Sequence, residues 1–188
     1  DIASPYQDVA FLVYSPLKGT LNLIKTSSTT INSIAETYFS LENAVYGVYS
    51  DKECNLQVGE LVTNVYGKSN SISLDAGIYY IKEIAAPKGH QCNSSVYTIE
   101  VSAGKSNSIS VSDTPLSVFI IKKTSSNSNV TEGNACYSLE GAEYTIYSDV
   151  ACTNPLQTIT TDGNGESGPI YMSEGTYFVK ETKAPRGF

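Results

Sequence analysis

Residues 78–89 read IYYIKEIAAPKG, and residues 176–187 read TYFVKETKAPRG. In both, an acidic residue closes an apolar, strand-like run just before an Ala-Pro-basic-Gly turn. Residues 38–54, YFSLENAVYGVYSDKEC, likewise match residues 136–152, CYSLEGAEYTIYSDVAC. One shift of 98 positions carries Cys54 to Cys152, Glu83 to Glu181, Pro87 to Pro185 and Lys25 to Lys123. Separated landmarks with a common shift mean tandem copies of one domain with equal internal lengths.

The repeat sets the boundaries. Residues 17–115 form the first copy and residues 116–188 the second. The segment SISVSDTP (108–115) has its counterpart past residue 188, so the second copy is expected to lack its last strand. Shifted the other way, it falls on AFLVYSPL (10–17). Residues 1–16 therefore read as the terminal strand of an upstream domain or a linker.

Each copy reads as β. Alternation with period two runs through LNLIK, AVYGVYS, GELVTNV, SISL, GIYYIKE, VYTIEV and NSISVSD, with Gly, Asn and Ser turns between. About seven strands in roughly 98 residues fit a two-sheet sandwich. TTDGNGES (160–167) is a turn by its Asp-Gly and Asn-Gly pairs. Asp162, Asn164 and Glu166 there are a weak candidate calcium loop, lacking the full ligand set.

Composition narrows the function. The chain carries 12 Lys and Arg against 19 Asp and Glu, a net charge of −7. That balance argues against nucleic acid, which calls for basic patches. No apolar run of membrane-spanning length is present. The four cysteines, Cys54, Cys92, Cys136 and Cys152, form no C-x-x-C pair, and His90 is the single histidine. Zinc is not expected, nor any other metal or cofactor. Free thiols are the expectation, with Cys54–Cys92 a conceivable bridge. His90 reads as a surface residue. No triad or phosphate loop is visible, which argues against a turning-over enzyme. NSS (93–95) and NVT (129–131) fit glycosylation sequons, which a bacterial origin would leave idle.

Three ionisable residues fall on apolar faces. Successive strand side chains alternate sides. Lys25 follows Leu23 and Leu21, Glu83 follows Ile81 and Tyr79, and Asp113 follows Val111 and Ile109. In the second copy Lys123 follows Ile121 and Phe119, and Glu181 follows Val179 and Tyr177. All five point toward the core, while Lys82 and Lys180 face water. Buried charges occur paired or neutral, because burying one alone costs several kcal/mol.

These motifs resemble the collagen-adhesin B-type (SpaA-type, prealbumin-like) repeat domains of Gram-positive surface adhesins and pilins. The matching stretches are GTLNLIK, FIIKK, SLEGAEYTIYSD, YYIKEIAAPKG, YFVKETKAPRGF and VSDTP, spanning residues 17–188. The resemblance implies an all-β chain of tandem immunoglobulin-like, prealbumin-like sandwiches. It also implies an intramolecular isopeptide bond, with Lys25 the nucleophile, Asp113 the electrophile and Glu83 the catalyst. The crosslink forms once, so it is maturation and not turnover. Glu181 is the corresponding acid of the second copy and Lys123 its unbonded nucleophile, with Lys122 as an alternative. Burial is expected to favour neutral Lys25 and neutral Glu83.

The implied role is a stalk segment of a cell-surface adhesin or pilus, extracellular and anchored to the cell wall. Its implied partners are neighbouring domains and, through other domains, a host protein or glycan. A host-binding module is the alternative. PYQDVAFLV (5–13) is similar to the strand that ends thioester adhesin domains, making Gln7 a candidate thioester residue. An ordinary linker strand is its competing reading.

Overall fold

A computed structural model describes residues 17–29 and 37–188. Gln7 and the terminal strand or linker expected over 1–16 lie outside the described residues. Seven strands fill the first repeat: β1 (Gly19–Ser27), β2 (Val45–Tyr49), β3 (Gln57–Val62), β4 (Ile72–Leu74), β5 (Gly77–Ala85), β6 (Val96–Val101) and β7 (Ser106–Asp113). The second holds β8 (Ser117–Phe119), a one-turn helix α1 (Ser128–Thr131), β9 (Glu143–Tyr147), β10 (Pro155–Thr160), β11 (Ile170–Met172) and β12 (Phe178–Lys183). Among the described residues no helix is long and apolar enough to cross a membrane.

In the first repeat a four-stranded sheet of order β3-β2-β5-β6 lies with a three-stranded sheet of order β4-β1-β7. Both contribute to one core. Leu21 and Leu23 of β1, Leu74 of β4 and Val111 of β7 pack with Tyr46 and Val48 of β2, Leu61 of β3, Ile81 of β5 and Val101 of β6. Burying each such aliphatic chain is worth about 1.5–3 kcal/mol. This is the expected sandwich, and the inward face is the one that alternation assigned. Most neighbouring strands are antiparallel, but β1 and β7 run the same way. The Thr20 N–H donates to the Lys105 carbonyl at 2.9 Å and the Ser28 N–H to the Asp113 carbonyl at 2.8 Å. The Thr26 hydroxyl donates to the Val111 carbonyl at 3.2 Å. Residue numbers rise together on both strands, so the first and last strands of the repeat are parallel neighbours.

In the second repeat the sheets are β10-β9-β12 and β11-β8. Ala142, Ile146 and Ile170 are its fully buried apolar residues. Its backbone repeats that of the first. Left-handed φ angles recur at Asn43 (65°) and Gly141 (84°), Cys54 (57°) and Cys152 (54°), Gly67 (73°) and Gly165 (77°), and Gly89 (80°) and Gly187 (89°). Asn is among the few side-chain-bearing residues that visit this region readily. The repeated Tyr-Ser-Asp motif has a local job. Asp51 accepts from the Asn55 and Leu56 N–H groups, and Asp149 from those of Thr153 and Asn154. These backbone bonds hold both carboxyls below the usual aspartate range.

By contacts the described residues form two compact units, interleaved along the chain. One holds 17–26, 42–85 and 93–111; the other holds 27–29, 37–41, 86–92 and 112–188. Within the second unit the DTPLS segment is hydrogen-bonded throughout. The Gln91 N–H donates to the Thr114 carbonyl at 2.9 Å and the Leu116 N–H to the Gly89 carbonyl at 2.8 Å. His90 forms a bridge with Pro115, and its ring meets Phe39 edge-on at 5.8 Å. Phe39 in turn meets Tyr171, whose hydroxyl donates to the Tyr38 carbonyl at 2.8 Å. His90 is only 5% exposed, which corrects the surface reading: the turn after Pro87 folds the ring inward against Phe39.

Candidate functional site

The site begins with alternation on β1. Every second residue from Gly19 is buried, and the pattern continues through Leu23 to Lys25. Lys25 is 1% exposed and Glu83 3% exposed. A lone charge there would be prohibitive, so the sequence places partners around it. Lys25 Nζ lies 3.1 Å from Glu83 Oε1 and 2.5 Å from the Tyr46 hydroxyl. Tyr46 and Glu83 face each other across the β2–β5 ladder. The Asn93 N–H donates to Glu83 Oε2 at 2.6 Å.

The electrostatics correct one expectation. Burial is the largest influence on Glu83 and pushes its pKa up. The Asn93 N–H, the Tyr46 hydroxyl and the Lys25 ammonium together outweigh burial and hold Glu83 below the usual glutamate range. Glu83 therefore rests as a carboxylate and not as the neutral acid. Moving one proton from Nζ to Oε1 gives the neutral pair with no net change of charge. That short transfer is the arrangement's chemical capacity: it delivers a buried amine with a free lone pair beside a newly protonated acid.

Asp113, the third expected member, is the last residue of β7 and 2% exposed. Its carbonyl is the acceptor for Ser28, three residues past Lys25 on the neighbouring strand. Lys25 and Glu83 are thus in direct contact, and Asp113 is buried at the end of the strand beside β1.

The second repeat reproduces the pair. Lys123 Nζ lies 2.9 Å from Glu181 Oε2, and Glu181 faces Tyr144 across the β12–β9 ladder. The Lys123 N–H donates to the Gly165 carbonyl at 2.7 Å, as the Lys25 N–H does to Gly67 at 2.7 Å. The surroundings are wetter, with the two side chains 16% and 31% exposed. The Phe188 ring lies 5.6 Å from Lys123 Nζ. The Glu181 hydrogen bond raises the Lys123 pKa against the opposing effect of burial, keeping it an ammonium. Lys122 points outward and pairs with Glu166 at 2.8 Å. Asp162 is spent on the Asn164 and Glu166 N–H groups of its turn. The candidate calcium ligands Asp162 and Glu166 are therefore turn and ion-pair groups. The described residues hold no cluster suited to a metal and no disulfide.

Two participants escaped the sequence reading. Tyr46 sits in the repeated AVYGVYS stretch and recurs as Tyr144, so the shift of 98 could have flagged it. Asn93 acts through its backbone, which leaves no side-chain signal.

A family model described as the SpaA prealbumin-like fold domain matches residues 19–115 and again 118–188. The chain belongs to this family. No curated protein matches it. Among solved structures, the Bacillus anthracis TIE protein is 27% identical, with a TM-score of 0.43, over 91% of this chain and 29% of that one. A streptococcal ancillary pilin is 16% identical, with a TM-score of 0.47, over 91% and 55%. BcpA, the major pilin subunit of Bacillus cereus, is 14% identical, with a TM-score of 0.43, over 89% of each chain. This SpaA-family chain spans under a third of the first and just over half of the second. Its Lys25–Glu83 and Lys123–Glu181 pairs fall inside the two matched segments.

Proposed function

We propose that the chain is a stalk segment of a bacterial cell-surface adhesin or pilus. Its first repeat, residues 17–115, is closed by an isopeptide bond between Lys25 and Asp113, formed with Glu83. The observation that carries this reading is the Lys25–Glu83 pair, both side chains fully buried, with Lys25 on the strand beside the one that Asp113 ends. An ammonium has no lone pair, so Lys25 first gives a proton to Glu83. The amine then attacks the Asp113 carboxyl carbon. A C–O bond breaks, the departing oxygen takes the proton held by Glu83 together with the second proton that the attacking nitrogen sheds, and an amide N–H and one water result. Held geometry makes the step unimolecular, which is worth up to roughly 7–11 kcal/mol of barrier. The bond would tie the first strand to the last, so tension on the chain ends loads a covalent link.

Membership in the SpaA family supports an extracellular place on a Gram-positive surface, anchored to the cell wall and linked to neighbouring domains. The second repeat supplies Lys123 and Glu181 to a site of the same design. Recognition of a host protein or glycan is the second reading. One observation favours it: Val65 and Tyr66 stand 56% and 85% exposed at the tip of a turn.

Intact mass under denaturing conditions tests the proposal. The wild-type chain is expected one water lighter than its sequence, and Glu83→Ala at full mass. A wild-type chain at full mass overturns the crosslink and moves host recognition ahead.

A further inference from the structure

From the geometry around Lys25 we infer that Tyr46 is a further catalytic residue of the crosslinking reaction, orienting the amine and tuning the acid. The inference rests on the Lys25–Asp113 reading above.

Three observations lead to it. The Tyr46 hydroxyl lies 2.5 Å from the Lys25 amine, against 3.1 Å for Glu83. The same hydroxyl also hydrogen-bonds the Glu83 carboxylate and helps to hold it ionised. Tyr46 has no exposed surface and is fixed on β2 directly opposite Glu83. A phenol both accepts and donates, so one hydroxyl serves both neighbours. It accepts an Nζ–H from Lys25 and donates its own hydrogen to Glu83. Solvation cannot explain the arrangement, because the group is closed off from water.

The chemistry follows. Lys25 must lose one proton while the lone pair that appears is aimed at the Asp113 carboxyl. A donor–acceptor hydroxyl fixes one Nζ–H bond, and Glu83 takes another proton. Two of the three Nζ hydrogens are then committed, which limits the directions in which the lone pair can form. The proton can reach Glu83 directly, or through Tyr46, which takes the Nζ proton as it gives its own to the carboxylate. Either way Tyr46 begins and ends as a neutral phenol. Phenylalanine would preserve the packing of the ring but remove both functions. The arrangement recurs in the second repeat, where Tyr144 faces Glu181 and helps to keep Lys123 protonated. A tyrosine kept only for packing has no need to stand opposite the glutamate and act on the lysine in both copies.

The test is a time course of crosslinking in newly translated full chain, read as the fraction one water lighter by intact mass. Wild type, Tyr46→Phe and Glu83→Gln are followed between pH 3 and 8, a window that includes the range below 4.5 in which Glu83 takes up its proton. Wild type is expected to crosslink, Glu83→Gln to stay at full mass, and Tyr46→Phe to crosslink at least tenfold more slowly. Tyr46→Phe should also shift the acid limb of the rate profile to higher pH, since Glu83 loses a hydrogen bond that holds it ionised. A purely structural tyrosine would lower the rate without moving that limb. Tyr46→Phe reacting at the wild-type rate, or slowly with an unmoved limb, overturns the role of Tyr46 and leaves the crosslink standing. A Tyr46→Phe chain with no cooperative thermal transition makes the hydroxyl a folding element and also overturns the assignment. Wild type at full mass at every pH overturns the crosslink and this inference together.

Discussion

Replacing Asp113 with alanine isolates what the crosslink contributes to stability. The bond from Lys25 to Asp113 would close a loop of about 90 residues, for which the chain-entropy model gives about 4–5 kcal/mol. In a domain of this size each kcal/mol moves the midpoint by about 4–8 °C, so Asp113→Ala should melt roughly 16–40 °C below wild type. Alanine at 113 is cleaner than a change at Glu83, because it leaves the buried Lys25–Glu83 pair intact. Removing Glu83 would strand a buried ammonium and add about 3–5 kcal/mol of its own. Asp113→Asn is the control. Lysine can displace ammonia from asparagine, so this variant should be one ammonia lighter and melt near wild type. Calorimetry and intact mass on the three proteins give the answer. Asp113→Ala melting within a few degrees of both others would refute the reasoning, because stability would then not depend on the residue that accepts the bond.

Gly89→Ala places a methyl 2.8 Å from the Tyr38 carbonyl and 2.5 Å from Phe39 at a φ of 80°. It should cost about 2 kcal/mol or more in denaturant titration, whereas Gly133→Ala, with φ of 71° but open space around it, should cost about 1 kcal/mol. Leu23→Ala removes a fully buried chain between the sheets and should cost about 2–5 kcal/mol by the same titration. In Asp113→Ala, where Glu83 keeps its ammonium partner, stability should be lost as pH falls below the ordinary glutamate value of 4.5 and through the lower folded one. Adding Glu83→Gln should flatten that acid slope. The Lys123–Glu181 pair has the opposite sign. Its contribution is complete below the ordinary lysine value of 10.5 and is lost as pH rises through the higher folded one, so Lys123→Gln should weaken the alkaline dependence of unfolding.

The fold was legible because two independent signals agreed. Period-two alternation marked the strands, and the shift of 98 fixed equivalent positions, down to the left-handed backbone shared by Cys54 and Cys152. The inward direction of Lys25 and Glu83 came from the same alternation, and so did the choice of Lys123 over Lys122. Protonation was not legible. Burial alone argues for a neutral Glu83, but the Asn93 N–H comes from a loop ten residues on, and no sequence pattern announces a backbone donor. Tyr46 was hidden for a different reason. A tyrosine in an apolar strand reads as packing until the strand across from it is known. His90 was misread because a lone histidine after a turn carries no mark of the Phe39 ring that covers it.

The most direct test of the account is proteolytic digestion of the denatured wild-type chain followed by fragmentation of its peptides. A single branched peptide joining the segment around Lys25 to the segment around Asp113, one water lighter than the sum of its arms, is the predicted result. Separate linear peptides carrying an unmodified Lys25 and an unmodified Asp113 would contradict the account, leaving a buried ion pair that stabilises a sandwich without closing it.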